Sequence, residues 1–137
     1  MTDFRILFTG SRSFDRADAI HVVLDQLALG ALSSGYDRVV LVHGACDRGG
    51  DAHAEAWYRA KRGEIPLGVE RHPANWQDLG KKAGFVRNKA MVDLGATVCV
   101  AAIRDGSRGA TTCAELAERA DIPVLPLDYD SLPERAS

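Results

Sequence analysis

The sequence lacks the features that mark several common classes of protein. Its 137 residues include only three cysteines, and none forms a Cys-x-x-Cys pair, so neither a disulfide framework nor a zinc site is predicted. No apolar run approaches the ~20 residues that a membrane span needs. The first residues also lack the layout of a secretory signal. We therefore expect a cytoplasmic chain that makes no contact with a membrane.

Signatures of metals, cofactors and nucleic acid are missing as well. His21, His53 and His72 share no spacing typical of metal ligands, so no metal site is predicted. The sequence has neither a GxxxxGK[ST] nor a GxGxxG motif, and no cofactor is predicted. A net charge of −2 without a basic stripe disfavours nucleic acid as a partner.

Short apolar runs alternate with longer amphipathic segments along the chain. Because the predicted strands are nearly all apolar, they suit a mostly parallel sheet covered by helices on both faces. The pattern predicts one domain over 1–137, with a loose tail at 128–137, and a doubly wound α/β fold of about five strands. The predicted strands are Arg5–Thr9, Arg38–His43, Leu67–Arg71, Thr97–Ala102 and Ile122–Leu127, and the predicted helices are Ala17–Leu32, Asp51–Arg62, Lys82–Leu94 and Cys113–Ala120.

Glycines accompanied by hydroxyl or arginine side chains follow three of these strands. Such sheets bind ligands beyond the carboxyl ends of their strands. Glycine lets a ligand approach the backbone, a helix N-terminus offers free N–H groups, and arginine matches phosphate oxygens. The three exits together predict a site for a phosphorylated ligand, although each alone is more consistent with an ordinary turn. The candidate residues are Gly10, Ser11 and Arg12, then His43, Gly44, Gly49, Gly50 and Asp51, and finally Gly109, Thr111 and Thr112.

A series of spaced motifs resembles one protein family in order. Over roughly residues 4–127 the chain is similar to the YspA-type, cpYpsA-related branch of the SLOG superfamily, which includes the LOG enzymes and the DprA/SMF proteins. The resemblance implies a Rossmann-like fold and a site for a nucleotide or an ADP-ribose-like ligand. The matching residues are Gly10-Ser11-Arg12-Ser13-Phe14, His43-Gly44, Gly49-Gly50-Asp51, Ala54, Trp57, Pro73-Ala74-Asn75-Trp76, Gly80, Lys82, Ala83-Gly84, Arg87-Asn88 and Met91.

Two further segments look like motifs of the LOG phosphoribohydrolases, which cut the N-glycosidic bond of nucleoside monophosphates. The segment Arg87-Asn88-Lys89-Ala90-Met91 is similar to their R-K-x-x-M motif. The segment 108–115 is similar to PGGxGTxxE, with Gly109, Thr112 and Glu115 on motif positions and Thr111 in place of a glycine. The resemblance implies catalytic roles for Arg87 and Glu115 and a binding role for Asn88.

The chemistry of glycosidic cleavage would use these residue types. A carboxylate from Glu115 or Asp51 would stabilise the oxocarbenium-like transition state or orient water, and Arg87 would hold the phosphate or the leaving base. Each candidate also has a structural alternative. Glu115 fits an exposed helix acid, Asp51 a helix N-cap, and Arg87 a surface arginine.

Other candidate residues leave alternatives open. His43 would contact a ligand or sit hydrogen-bonded in the core. Trp57 is predicted in the core, whereas Trp76 would stack on a base or pack on a partner. Cys46 lies in the second exit and is predicted to face the site.

Two functional classes therefore remain open, a nucleotide N-glycosidase and a non-catalytic sensor of nucleotide-derived signals. A DprA-like role on DNA is disfavoured by the net charge. The apolar faces of Ala17–Leu32 and Lys82–Leu94, together with the family resemblance, predict a homodimer.

Overall fold

Five parallel strands form a single sheet in the order β3-β2-β1-β4-β5. A computed structural model describes residues 2–134 of the chain. All four strand pairings are parallel, with β1 between β2 and β4. The strands are β1 (Asp3–Gly10), β2 (Arg38–His43), β3 (Leu67–Arg71), β4 (Val98–Ile103) and β5 (Val124–Asp128).

Helices connect the strands and cover both faces of the sheet. The helices are α1 (Ala17–Ser33), α2 (Gly50–Lys61), α3 (Trp76–Leu79), α4 (Ala83–Asp93) and α5 (Arg108–Arg119), with short 3-10 turns at Gly80–Lys82 and Tyr129–Ser131. None of the helices within residues 2–134 is long and apolar enough to cross a membrane.

Alternating side chains of β1 build two cores. Ile6 and Phe8 point to one face, where they join Leu24 of α1 and Trp57 of α2. Leu7 points to the other face and joins a cluster that includes Met91 of α4. Both faces are therefore buried, which explains why the strand sequences are almost continuously apolar. The predicted doubly wound, Rossmann-like α/β fold is confirmed.

Most element boundaries fall within one or two residues of the predicted ones, but α5 begins five residues earlier than predicted, at Arg108 instead of Cys113. Asp105 and Gly106 have positive φ (55° and 57°), so the chain leaves β4 through a tight turn and can start the helix at once. Gly109, Thr111 and Thr112 therefore lie in the first turns of α5 and not in a loop.

The segment after β5 is held against the domain. The Tyr129 ring packs edge-on against Phe14 with 5.3 Å between ring centroids, and its hydroxyl donates to Asp15 Oδ1 at 2.6 Å. Leu132 is partly buried on the same core. Tyr129 and Leu132, within the predicted tail, therefore contact the core, and the last residues of that tail, 135–137, lie outside the described part of the chain.

Candidate functional site

A cavity of about 900 Å³ opens at the carboxyl edge of the sheet. Backbone and hydroxyl groups tie the exits of β1 and β4 together beneath it. Ser11 N donates to Ala102 O at 2.9 Å, and Arg104 N donates to Ser11 Oγ at 2.9 Å. Because the chain leaves β1 and β4 toward opposite faces, a crevice forms here. The cavity volume falls within the range of roughly 300–1,000 Å³ typical of small-molecule sites.

Most of the predicted site residues line this cavity. They are Gly10, Ser11, Arg12, Gly44, Asp51, Arg87, Asn88, Gly109 and Thr112. Cys46 lines it too, as predicted for the second exit. Five predicted residues do not line it, namely His43, Gly49, Gly50, Thr111 and Glu115.

Asp51 is a buried carboxylate in the wall of the cavity. Its side chain is only 5% exposed, and Oδ2 accepts a long hydrogen bond from Cys46 N at 3.4 Å. Asp51 is not the N-cap, which is Gly49, because α2 begins at Gly50. Burial raises the pKa of Asp51, although the Cys46 amide and the nearby Arg87 partly oppose this rise. The protein thus holds a desolvated acid in contact with the cavity.

Arg87 lies beside this acid and is anchored by backbone carbonyls. Its Nη1 donates to Gly44 O at 2.6 Å and to His72 O at 3.3 Å, and its Nε donates to Asn88 Oδ1 at 2.7 Å. A Cβ added at Gly44 would lie 2.3 Å from Arg87 Nη1 and 3.0 Å from Asp51 Oδ2. Arg87 is therefore a positioned, half-buried group and not a surface arginine, and Gly44 makes room for it.

The N-terminus of α5 opens into the same cavity. The first backbone bond of the helix runs from Thr111 N to Ser107 O at 3.1 Å, so the preceding amides, including that of Gly109, have no partner inside the helix. Ser107 holds the N-cap position, yet among the described residues its hydroxyl makes no capping bond and instead pairs with Ser11 Oγ. These amides and the helix dipole favour an anion here.

The charged side chains around the cavity also favour an anionic ligand. Four cationic residues line it, against two acidic ones. One of the two acids, Asp51, has a raised pKa, which reduces its negative charge further at a given pH. The four cationic residues are Arg12, Lys81, Arg87 and Arg108. The charges around the cavity thus favour an anionic group.

Comparison with known proteins assigns the family. The sequence model of the YspA, cpYpsA-related SLOG family matches residues 4–78, which is more than half of the chain. The chain belongs to this family. Membership of the SLOG family indicates a nucleotide-related ligand-binding role. The family match confirms the resemblance to this branch of the SLOG superfamily that the sequence motifs indicated.

One curated relative extends over nearly the whole chain. The Gene 61 protein of Mycobacterium phage D29 is 41% identical over 123 residues, which cover 88% of this chain and 94% of that protein. No solved structure matches the chain significantly. The SLOG family match ends at residue 78, so the two segments that resemble LOG motifs, around Arg87 and around Glu115, lie outside it.

The paired glycines of the second exit serve packing between elements. Cβ atoms added at Gly10 or Gly50 would each lie 2.7 Å from the other glycine's Cα, and one added at Gly49 would lie 2.4 Å from the carbonyl oxygens of Ser11 and Arg12. Gly49 also has a positive φ of 71°. The start of α2 therefore packs on the backbone after β1. We expected Gly49 and Gly50 to leave room for a ligand, but the space beside them is taken by the backbone of residues 10–12.

His43 is a core residue turned toward α2. Ala45 N donates to His43 Nδ1 at 2.9 Å, which assigns the ring proton to Nε2, and Nε2 donates to Glu55 Oε1 at 2.9 Å. Glu55 also accepts from Arg71 and Arg59, and these bonds hold its pKa well below its usual range. His43 therefore occupies the hydrogen-bonded core position that was one of its two predicted alternatives, and it does not line the cavity.

Glu115 and Thr111 lie away from the cavity lining. Glu115 is exposed and follows Gly109 by six residues, about 9 Å along the helix axis. Because α5 begins at Arg108, Glu115 lies about two turns into the helix, beyond the residues that line the cavity. Its placement fits the exposed helix acid, so Asp51 is the predicted catalytic carboxylate that the structure keeps in the site.

Sequence reasoning did not single out two lining residues of the α4 region, Lys81 and Phe85. With Gly84, Asn88 and Met91 they lie three or four residues apart, which places them on one face. This periodicity was a usable signal.

The other two cysteines are buried and do not line the cavity, and burial raises the pKa of Cys99 to about 12 and that of Cys113 to about 11. Within residues 2–134 no cluster of His, Cys, Asp or Glu could hold a metal ion.

Proposed function

We propose that the cavity binds a phosphorylated nucleotide-type molecule, such as a nucleoside monophosphate or ADP-ribose, with its phosphate at the N-terminus of α5. The observation that carries this proposal is the pairing of Ser107 with Ser11. It withdraws the capping hydroxyl and leaves the first amides of α5 facing a cavity that Arg12 and Arg108 also line.

The sugar of such a ligand would lie toward Asp51. A buried carboxylate accepts hydrogen bonds from ribose hydroxyls, and the bond that it now accepts from Cys46 N is long, at 3.4 Å. Arg87 stands beside it as a donor to oxygen or nitrogen atoms of the ligand. The phosphate and sugar are then recognised by different strand exits.

A binding screen tests this proposal. Calorimetry or thermal-shift measurements would use AMP, ADP-ribose, NAD and cyclic derivatives, with adenosine as the control that lacks phosphate. We expect binding of the phosphorylated compounds and weaker binding of adenosine. Arg108→Ala should lower the affinity for AMP by about 10-fold or more, since a charge-assisted bond contributes roughly 1.5–3 kcal/mol. Arg119→Ala at the far end of α5 is the matched control. A folded protein that responds to none of the compounds contradicts the proposal.

A second candidate function is hydrolysis of the N-glycosidic bond of a nucleoside monophosphate. The presence of Asp51 and Arg87 in one cavity favours it. Asp51 would stabilise the oxocarbenium-like transition state while water attacks C1′ and the C1′–N bond breaks. The proton that the water loses would pass by way of Asp51 to the nitrogen of the departing base, which Arg87 would hold. Incubation with AMP followed by chromatography for free adenine tests it. We expect Asp51→Asn to abolish release and the matched Glu115→Gln to retain it.

A sensor is the alternative for the same cavity. The exposed position of Glu115 and the end of the SLOG family match at residue 78 favour binding without turnover. Tight binding of AMP with no release of adenine would establish this role.

We propose a cytoplasmic location for either function. We also propose a homodimer, because Val22 and Leu29 of α1 and Val86 of α4 are 54%, 58% and 44% exposed.

A further inference from the structure

We infer that Trp76 and Phe85 form a subsite for the aromatic base of the ligand, so that the site selects nucleotides over sugar phosphates. This inference rests on the proposed function, because it assumes that a phosphorylated ligand occupies the cavity. It adds the place where the base of that ligand binds and the expectation that a sugar phosphate without a base binds more weakly.

Exposed aromatic side chains are confined to this cavity. Of the nine aromatic residues, all of which lie within residues 2–134, only Trp76 and Phe85 are exposed, at 49% and 54%. Both line the cavity. Large aromatic rings left in water at the rim of a concave site are typical of surfaces that bind an apolar or aromatic partner.

The Trp76 ring is held in place by its surroundings. Asn75 caps the short helix α3, since its Oδ1 accepts from Asp78 N at 3.2 Å, and this fixes the backbone at Trp76. On α4, a Cβ added at Gly84 would lie 3.4 Å from the tip of the indole. The indole therefore lies against the start of the helix that carries Phe85, at a distance where a Cβ at Gly84 would make an ordinary van der Waals contact.

Arg12 connects the aromatic pair to the proposed phosphate site. Its guanidinium carbon lies 5.8 Å from the centroid of the Trp76 ring, while its backbone belongs to the exit of β1 beside Ser11. Because Trp76 is 49% exposed even with this cation beside it, part of the indole remains accessible to a planar partner. Phosphate and base would thus be recognised within one cavity.

These positions favour a ligand base over another protein as the occupant. The two rings belong to the same cavity as the buried Asp51 and the start of α5. Because every nucleobase has a π-face, stacking would tolerate different bases but would exclude a ligand without one. The subsite therefore predicts tighter binding of AMP than of ribose 5-phosphate.

Fluorescence and calorimetry test this prediction together. The chain has two tryptophans, and the other, Trp57, is 1% exposed, so a change in emission on adding AMP reports mainly on Trp76. Calorimetry would compare AMP with ribose 5-phosphate in the native protein, in Trp76→Ala and in Trp76→Phe. Leu125→Ala, which removes an exposed apolar side chain of β5 outside the cavity, is the matched control, and circular dichroism checks folding.

We expect AMP to quench the emission and to bind more tightly than ribose 5-phosphate. Trp76→Ala should weaken AMP binding by roughly 5- to 100-fold, as for other base-stacking aromatics, and should leave ribose 5-phosphate unaffected. Trp76→Phe should restore most of the affinity. Equal affinities of the two compounds, or equal losses for both in Trp76→Ala, would overturn the base subsite and leave the phosphate site standing. A native protein that binds neither compound would overturn the proposed function and the subsite with it.

Discussion

Replacing Gly44 by alanine should disconnect Arg87 from the loop after β2 while leaving the fold intact. The added Cβ would lie 2.3 Å from Arg87 Nη1 and 2.6 Å from Cζ. These atoms form the far end of a flexible side chain, so the guanidinium can withdraw without moving the backbone. To reach ordinary contact distance it must move by about 1 Å, which breaks the 2.6 Å bond to Gly44 O.

The expected loss of stability follows from that bond. Gly44 is buried, so its carbonyl loses a charged donor in a place that water reaches poorly. A hydrogen bond to a charged group contributes roughly 1.5–3 kcal/mol, and we therefore expect Gly44→Ala to lower the free energy of unfolding by about 2 kcal/mol. For a domain of this size that change corresponds to a decrease of about 6 °C in the melting temperature.

Urea denaturation followed by circular dichroism measures this change, and Gly30→Ala is the matched control. Gly30 lies inside α1, and a Cβ there would meet nothing within 4 Å. The control should gain roughly 0.5–1 kcal/mol, because alanine favours the helix. We also expect Gly44→Ala to bind AMP more weakly, since Arg87 no longer stands beside Asp51. A variant as stable as the native protein, with unchanged AMP affinity, would refute the anchoring role assigned to Gly44.

Four further predictions concern packing, pH and assembly. Gly10→Ala should lower the free energy of unfolding by roughly 3 kcal/mol or more, because its Cβ would lie 2.7 Å from the Gly50 backbone, which cannot move aside as a side chain can. Urea denaturation measures this loss, and a variant as stable as the native protein would contradict the packing of Gly10 on Gly50. Arg71, Arg59 and His43 hold the pKa of Glu55 below its ordinary 4.5, so its contribution to stability is present above pH 4.5 and is lost as the pH falls below it; Glu55→Gln should flatten the acid limb of the stability curve. Burial raises the pKa of Asp51, so the ionised carboxylate destabilises the fold as the pH rises above 3.8, the ordinary pKa of this group. Asp51→Asn should therefore melt at a higher temperature than the native protein at pH 7, and this gain should shrink toward pH 4. The same variant should bind AMP more weakly. Light scattering at micromolar concentration should give about twice the 14.8 kDa chain mass, and a monomer that binds nucleotide at full strength would exclude a role of the dimer in building the site.

The fold could be predicted from local patterns, because a buried parallel strand must be apolar along its whole length. The run Arg38–His43 became β2 with the predicted bounds, and Leu67–Arg71 became β3 in the same way. The predicted boundary of an element was wrong where a turn sets the start of that element. The start of α5 depends on the positive φ of Asp105 and Gly106, which no hydrophobic period records.

The candidate site could be predicted only at the level of strand exits. Asp51 was predicted in the site because it follows a glycine-bearing strand exit, and Arg87 because its segment resembles a LOG motif; the structure brings both to the cavity. Local sequence patterns do not distinguish glycines that serve packing between elements from glycines that leave room for a ligand. Gly50 contacts Gly10 forty residues away, and such a contact exists only in the folded chain. The same limit applies to Glu115, whose distance from the cavity depends on where its helix begins.

The central claim, that the cavity at the carboxyl edge of the sheet binds a nucleotide, can be tested most directly by NMR. Amide chemical shifts of the ¹⁵N-labelled protein would be followed during a titration with AMP, and this measurement locates the ligand as well as detecting it. We expect the largest shifts at the amides of Arg12, Gly44, Gly109 and Ala110, which surround the proposed phosphate and sugar positions. The absence of shifts at millimolar AMP, or shifts confined to the outer face of α1, would contradict the account.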